Sequence, residues 1–367
     1  MENKETKETK VVAVKLIAQD SYIESHIVAP TEVKYRNDMY LWGRRNDYPA
    51  YLSELYAEVT TLRSVINGVI DYVAGDDCIL STDLPVGPGM ANEDQTVFDL
   101  VQNLAKQLGL YGGFALQVIR TKGGGIHSLY CLDLKYVRTN KDNSVFWYSE
   151  KWDGRKEKAK EYPKFIPAAK DQETGIVFVK RATDTGVYPA PVWAASVKAA
   201  ETERCTDVYH LNAINNGFEG SAVINFNNGV PDEETRKKIE KEVNEKFGGY
   251  QNAGRIVTCW NDAVTNKTTI DTFKTEDFGA KYESLSKWSR QQLFTAFRAN
   301  PNLFGIGTES TGFNQEEYES AFKLFNRTTV RPFQRLITDA FQRIFGAPVL
   351  NIKPFTLETT GGEAVVQ

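Results

Sequence analysis

Apolar residues recur at helical spacing in several separated stretches, and the polar segments between them set the order of elements. Tyr51, Leu55, Val59 and Leu62, continued by Val65, Ile66, Val69 and Ile70, predict one helix. It opens at the Asn46-Asp47-Tyr48-Pro49 turn and stops at Gly75. Val97, Leu100, Val101, Leu104 and Leu108 predict a second helix, ending at Gly109. The period then changes to alternation. FALQVIR and IHSLYCLDL flank Gly123-Gly124-Gly125 and predict a β-hairpin, and VFWYS and GIVFVK add further strands. A phosphate loop needs a strand before it and a helix after it; this triple glycine has strands on both sides and reads as a turn.

Tyr188-Pro189-Ala190-Pro191 breaks the chain before an alanine-rich, helix-prone stretch that runs to Asn215-Asn216-Gly217. SAVINF and GRIVTCW read as strands around a charged helix, PDEETRKKIEKEVNEKF. That helix has proline in its first turn, glycine after its end, and Ile239, Val243 and Phe247 as its apolar stripe. The three pieces form a β–α–β module. Tyr282, Leu285, Trp288, Leu293, Ala296 and Phe297 trace another helix, stopped by Pro301. A polar, glycine-rich loop follows. Asn314 and Glu317 have the spacing of a capping box at the head of a long helix whose apolar period spans Tyr318 to Ile344. Pro332 lies inside that period and predicts a kink. The fold class is α+β, with an antiparallel sheet in the first half.

Composition narrows the function. The formal charge is −4, so the whole chain presents no basic field to a nucleic acid; any contact with DNA is local or multiplied by repetition. From Phe278 to Pro332 there are seven Lys or Arg against five Glu, a weak basic excess per copy. Four cysteines and three histidines are scattered without metal-ligand spacing, which predicts buried thiols and no metal site. No apolar run approaches the ~18 residues of a membrane span. A hydrolase or transferase of nucleic acids would require convergent acids or a nucleophile beside a base. No GxSxG, HExxH or Walker motif occurs, and the chain reads as non-enzymatic and free of cofactors.

In their order and spacing, several stretches resemble the portal proteins of tailed bacteriophages. They are Trp42-Gly43 with Asn46-Asp47-Tyr48-Pro49, the helix ending VINGVIDYVAGD, Tyr188-Pro189 before NNGFEGSAVINF, and GRIVTCW. The run Arg298-Ala299-Asn300-Pro301-Asn302-Leu303-Phe304-Gly305 and the helix FNQEEYESAFKLFNRTTVRPFQRLITDAF complete the set. The resemblance implies an elongated portal-type subunit: a flexible arm (1–20), an α+β wing (21–187), a stem helix (188–217), a small β–α–β clip (218–273) and a second stem helix (274–299). A tunnel loop (300–313), a long helix kinked at Pro332 (314–345) and a short crown and tail (346–367) follow. It further implies a homo-oligomeric ring of twelve at one capsid vertex of the virion, assembled in the host cytoplasm and threaded by double-stranded DNA without sequence reading. Its implied partners are the terminase large subunit, the major capsid or scaffold protein, and adaptor or tail proteins. The loop residues expected at the DNA are Asn302, Phe304, Gly305, Gly307, Thr308, Ser310, Thr311 and Phe313, with Lys287, Arg290 and Arg298 as channel-facing cations. Glu234, Lys237, Lys238 and Lys241 are the expected motor-docking residues of the clip. A different virion structural or adaptor protein is the alternative reading.

Overall fold

The structure of the chain, a computed structural model, describes residues 32–35, 38–152, 159–215, 222–226, 231–247, 256–260, 269–272, 278–306 and 315–356. The expected N-terminal arm lies outside these residues. Strands β1 (Glu32–Lys34) and β2 (Tyr40–Trp42) pair antiparallel and deliver Trp42 into the core, where it stacks on Tyr188 at 4.5 Å. The fully buried Trp42 is thus a packing residue. Arg138 fastens the adjoining turn: its guanidinium donates to Asn46 Oδ1 and to the Asn46 carbonyl.

Two helices stand where the apolar period predicts one: α1 (Tyr48–Glu58) and α2 (Thr60–Ala74), broken at Val59. Val59 is extended (φ −95°, ψ 108°), and three β-branched residues in a row, Val59-Thr60-Thr61, weaken the helix at this point. The apolar spacing continues across the break because both helices bury the same side. Strand β3 (Asp77–Leu80) follows.

Helix α3 (Val97–Tyr111) opens with a Thr96/Asp99 capping box and closes at Gly112 in the left-handed region (φ +84°), three residues beyond the expected stop. Gly109 has another task. A Cβ there would lie 3.3 Å from Ile66 Cγ2, so its bare face lets α3 approach α2 closely. Its carbonyl also accepts the Trp193 Nε1–H, 3.0 Å away.

Strands β4 (Gly113–Arg120) and β5 (Ile126–Leu132) form the expected hairpin. In chain order, β6 (Val137–Thr139), β7 (Val145–Tyr148), β8 (Lys160–Pro163) and β9 (Thr174–Lys180) complete two antiparallel sheets, β5-β4-β9 and β6-β7-β8.

Helix α4 (Val197–Asn215) then leads out to the small module. Strand β10 (Ala222–Phe226), helix α5 (Glu233–Phe247) and strand β11 (Ile256–Trp260) make the expected β–α–β unit, with β10 and β11 parallel. A third strand, β12 (Thr269–Thr272), pairs antiparallel with the other edge of β10. Helix α6 (Phe278–Phe297) returns alongside α4 in the opposite direction. Ser196 Oγ bonds the Gln292 carbonyl at one end, and Tyr209 stacks on Tyr282 at 4.2 Å near the other.

Helix α7 (Gln315–Phe325), a π-helical turn (Asn326–Val330) and helix α8 (Arg331–Phe345) follow one another directly. Helix α8 buries Phe333, Ile337, Ala340, Phe341 and Ile344 against α2, α3 and β9. Strand β13 (Leu350–Lys353), in the stretch expected as a crown, pairs antiparallel with β3. Among the cysteines, Cys78 is buried and Cys205 is exposed on α4, contrary to the expectation of buried thiols throughout.

Candidate nucleic-acid channel segment

Helix α6 ends at Phe297, not at Pro301. Arg298 adopts the left-handed conformation (φ +53°). Its N–H bonds the Thr295 carbonyl, and the Ala299 N–H bonds the Phe294 carbonyl, both at 3.0 Å. This is a Schellman termination with arginine where glycine is the ordinary occupant. Asn300 is extended, as a residue before proline should be, and its Oδ1 accepts the Asn302 N–H at 3.0 Å. A 3₁₀ turn, Pro301–Phe304, fills the start of the expected loop, and Gly305 (φ +73°) ends it.

This turn is clamped to the body. Leu303 is buried, and Tyr72 Oη donates to its carbonyl at 2.9 Å. The Phe304 ring meets Tyr72, Phe294 and Phe325 edge-on, with centroids 5.6 to 6.0 Å apart. Burial pushes the Tyr72 phenol well above its ordinary value, so the hydroxyl stays a donor. Phe304, expected at the DNA, is therefore an anchor at the base of the loop. Asn302 is half-buried, and its Oδ1 has no partner. Gly305 is exposed. Gly307, Thr308, Ser310, Thr311 and Phe313 lie outside the described residues, as does Asn314 of the expected capping box.

The three basic residues differ. Lys287 is exposed and ion-paired with Glu283 one turn earlier, at 2.9 Å. Arg290 is exposed on α6, close enough to Glu203 of α4 to favour that carboxylate's charge. Arg298 is exposed at the helix end. On α5, Glu234, Lys237, Lys238 and Lys241 are all exposed, and Lys237 pairs with Glu233 at 2.8 Å.

Beyond the loop, the bend expected at Pro332 takes the form of the π-turn before it. The proline ring has no N–H to donate and crowds the carbonyl four residues back; a wider turn relieves both. The Arg331 N–H reaches the Asn326 carbonyl, a five-residue step. Thr329 Oγ1 donates to the Phe297 carbonyl at 2.9 Å, so the π-turn ties the end of α6 to the long helix. The sequence carries no signal for this bond, nor for the carboxylates that seat α4. Glu201 accepts the Tyr51 hydroxyl at 2.7 Å and two Arg204 nitrogens. Glu203 accepts the Thr61 N–H at 2.9 Å, capping α2 from another helix, and burial raises its pKa.

Among the described residues, no group of His, Cys, Asp and Glu could hold a metal ion, and no helix is long and apolar enough to cross a membrane. The segment joins paired helices that carry a small module, a clamped turn and a π-interrupted helix.

The family model for phage portal proteins matches residues 89–356, the greater part of the chain, and the chain belongs to that family. The fold is similar to a chain from the neck of a native gene transfer agent particle computed with C12 symmetry, at a TM-score of 0.55 and 18% identity, covering 90% of this chain and 89% of that one. It is also similar to an HK97-family phage portal protein from Corynebacterium diphtheriae, at a TM-score of 0.50 and 13% identity, covering 82% and 94%. No curated protein matches the chain in sequence.

Proposed function

We propose that this chain is the subunit of a ring that joins head to tail at one vertex of a virion, and that double-stranded DNA enters and leaves through the ring. The observation that carries the reading is the antiparallel pair α4/α6 bearing the β–α–β module and continuing into the clamped turn and π-interrupted helix, in a chain of the portal family. Val208, Leu211, Leu285 and Trp288 leave apolar surface uncovered on those two helices, as an unassembled subunit of a ring does. A neighbour from a neck computed with C12 symmetry supports twelve copies.

In this reading the protein is a conduit and docking ring, and a separate packaging motor does the work. Arg298, Arg290 and Lys287 face the duplex with Asn302, Gly305, Gly307, Thr308, Ser310, Thr311 and Phe313. Twelve weakly basic copies hold the phosphates without reading bases. The module with Glu234, Lys237, Lys238 and Lys241 meets the terminase large subunit and later the adaptor. The capsid or scaffold protein meets the body. Negative-stain microscopy of the purified chain, alone and co-expressed with its capsid protein, tests the reading. Rings with a central hole of duplex width are expected; a monomer under both conditions overturns it.

A further inference from the structure

We propose that the groove over the outer face of β4 and β9 binds an acidic peptide segment of a protein partner. The groove has a volume of about 570 Å³, and its walls carry Lys122, Lys160 and Lys170. Arg120 lies beneath. The hairpin turn and the loop of residues 166–173 form two of the walls, and they touch: a Cβ on Gly124 would lie 2.9 Å from Lys170 Cβ.

Arg120 is the unusual member. It is only 7% exposed. Its guanidinium donates to the carbonyls of Gly124, Ile166 and Pro167 and stacks over Phe165 at 4.6 Å. Its Nε is buried without a partner. Carbonyl dipoles and a ring face offset this charge, with no carboxylate bonded to it among the described residues. A buried charge lacking a counter-ion is costly, and an anion seated above it lowers that cost. The three lysines make no ion pair among the described residues, although Asp171 and Glu173 also line the groove. Lys160 lies over the Tyr162 ring at 5.1 Å, while Lys122 and Lys170 are open to an incoming charge.

The chemistry favours carboxylates on a peptide over a phosphodiester strand. Asp171 and Glu173 in the wall repel a continuous line of phosphates, whereas spaced carboxylates can alternate with them. Among the described residues, no aromatic side chain lines the groove to stack a base. Gln117 and Thr174, bonded to each other at 3.1 Å on the floor, suit a peptide backbone. The inference does not depend on ring formation.

The test is fluorescence anisotropy of a labelled hexapeptide of alternating glutamate and serine against the full-length protein, with an unlabelled short DNA duplex and inorganic phosphate as competitors. Saturable, salt-sensitive binding is expected, and Lys122→Glu with Lys170→Glu should weaken it about tenfold or more. Lys141→Glu with Lys353→Glu should change it less than about twofold, since those exposed residues lie outside the groove. If the charge-reversed pair unfolds, Lys122→Gln with Lys170→Gln gives the same readout with a smaller loss. Three results overturn the proposal: no saturable binding, equal loss in the Lys141/Lys353 control, or displacement by the duplex at lower concentration than by the unlabelled peptide.

Discussion

Gly68 makes room for Phe304: a Cβ at position 68 would stand 2.3 Å from Phe304 Cε1. A glycine in the middle of α2 costs the helix roughly 0.5–1 kcal/mol against alanine. Here it forms the notch that holds the base of the loop. Gly68→Ala should therefore destabilise the protein by about 1–3 kcal/mol, opposite in sign to the helix-propensity gain. Chemical denaturation of the variant decides it; a stabilised Gly68→Ala would sink the clamp.

Arg298 predicts a trade between stability and function. An arginine in the left-handed region is strained relative to glycine by roughly 1 kcal/mol. Arg298→Gly should raise subunit stability by up to about that amount while reducing DNA packaged per particle. Arg298→Lys should keep the charge and most of the packaging. Unfolding midpoints and encapsidated DNA, measured on the same variants, provide the check. Undiminished packaging in Arg298→Gly would remove this residue from the channel.

Glu203 predicts a pH dependence. Burial raises its pKa from the ordinary 4.5, while the Thr61 N–H and Arg290 oppose the shift and Asp207 adds to it. A carboxyl with a higher pKa folded than unfolded holds its proton more readily in the folded state. Its contribution to stability is fully present below pH 4.5 and is lost as pH rises through the folded value. Asp71, also raised by burial, acts with the same sign. Glu203→Gln keeps an acceptor for Thr61 and removes the charge. Its urea midpoint should exceed the parent's at neutral pH and converge with it near pH 4.5. Parallel curves across that range would show the cap does not titrate.

The Thr329 hydroxyl ties the π-turn to the Phe297 carbonyl inside the protein. Thr329→Val leaves that carbonyl buried without its donor, at a cost of about 1–3 kcal/mol. Thr329→Ser should recover most of the loss. A valine variant as stable as the parent would mean the bond contributes nothing.

Trp288, 44% exposed on α6, tests assembly. Trp288→Glu should leave the subunit's melting temperature within a few degrees, because little packing is lost. It should also shift the mass distribution from rings to monomers. Rings persisting at full yield would place the subunit interface elsewhere.

Local patterns carried much of this fold into the sequence. The hairpin around Gly123–Gly125, the β–α–β unit and the apolar face of α8 each depend on near neighbours, and each is readable as a period or a turn. The remainder depends on distant partners. Strand β12 is a short Thr-Ile-Asp-Thr run and pairs only because β10 offers it an edge. Gly109 reads as a stop signal, yet its role is set by Ile66 and Trp193, far away in sequence. The bond that ties the π-turn to α6 needs the carbonyl of Phe297. In the candidate segment, residue types suggested polar exposure, but Phe304 faces inward because Gly68 leaves it a place.

Strand β13 has a consequence for synthesis. Its pairing with β3 joins Asp77–Leu80 to Leu350–Lys353, so one edge of the body stays open until β13 has left the ribosome. Contacts this distant in sequence form late, and the exposed strand edge is a hazard until they do. Translation thus sets the time at which a subunit becomes complete. A chain released before β13 lacks the strand that closes β3, which makes it a substrate for chaperones and proteases before it can spoil an assembly.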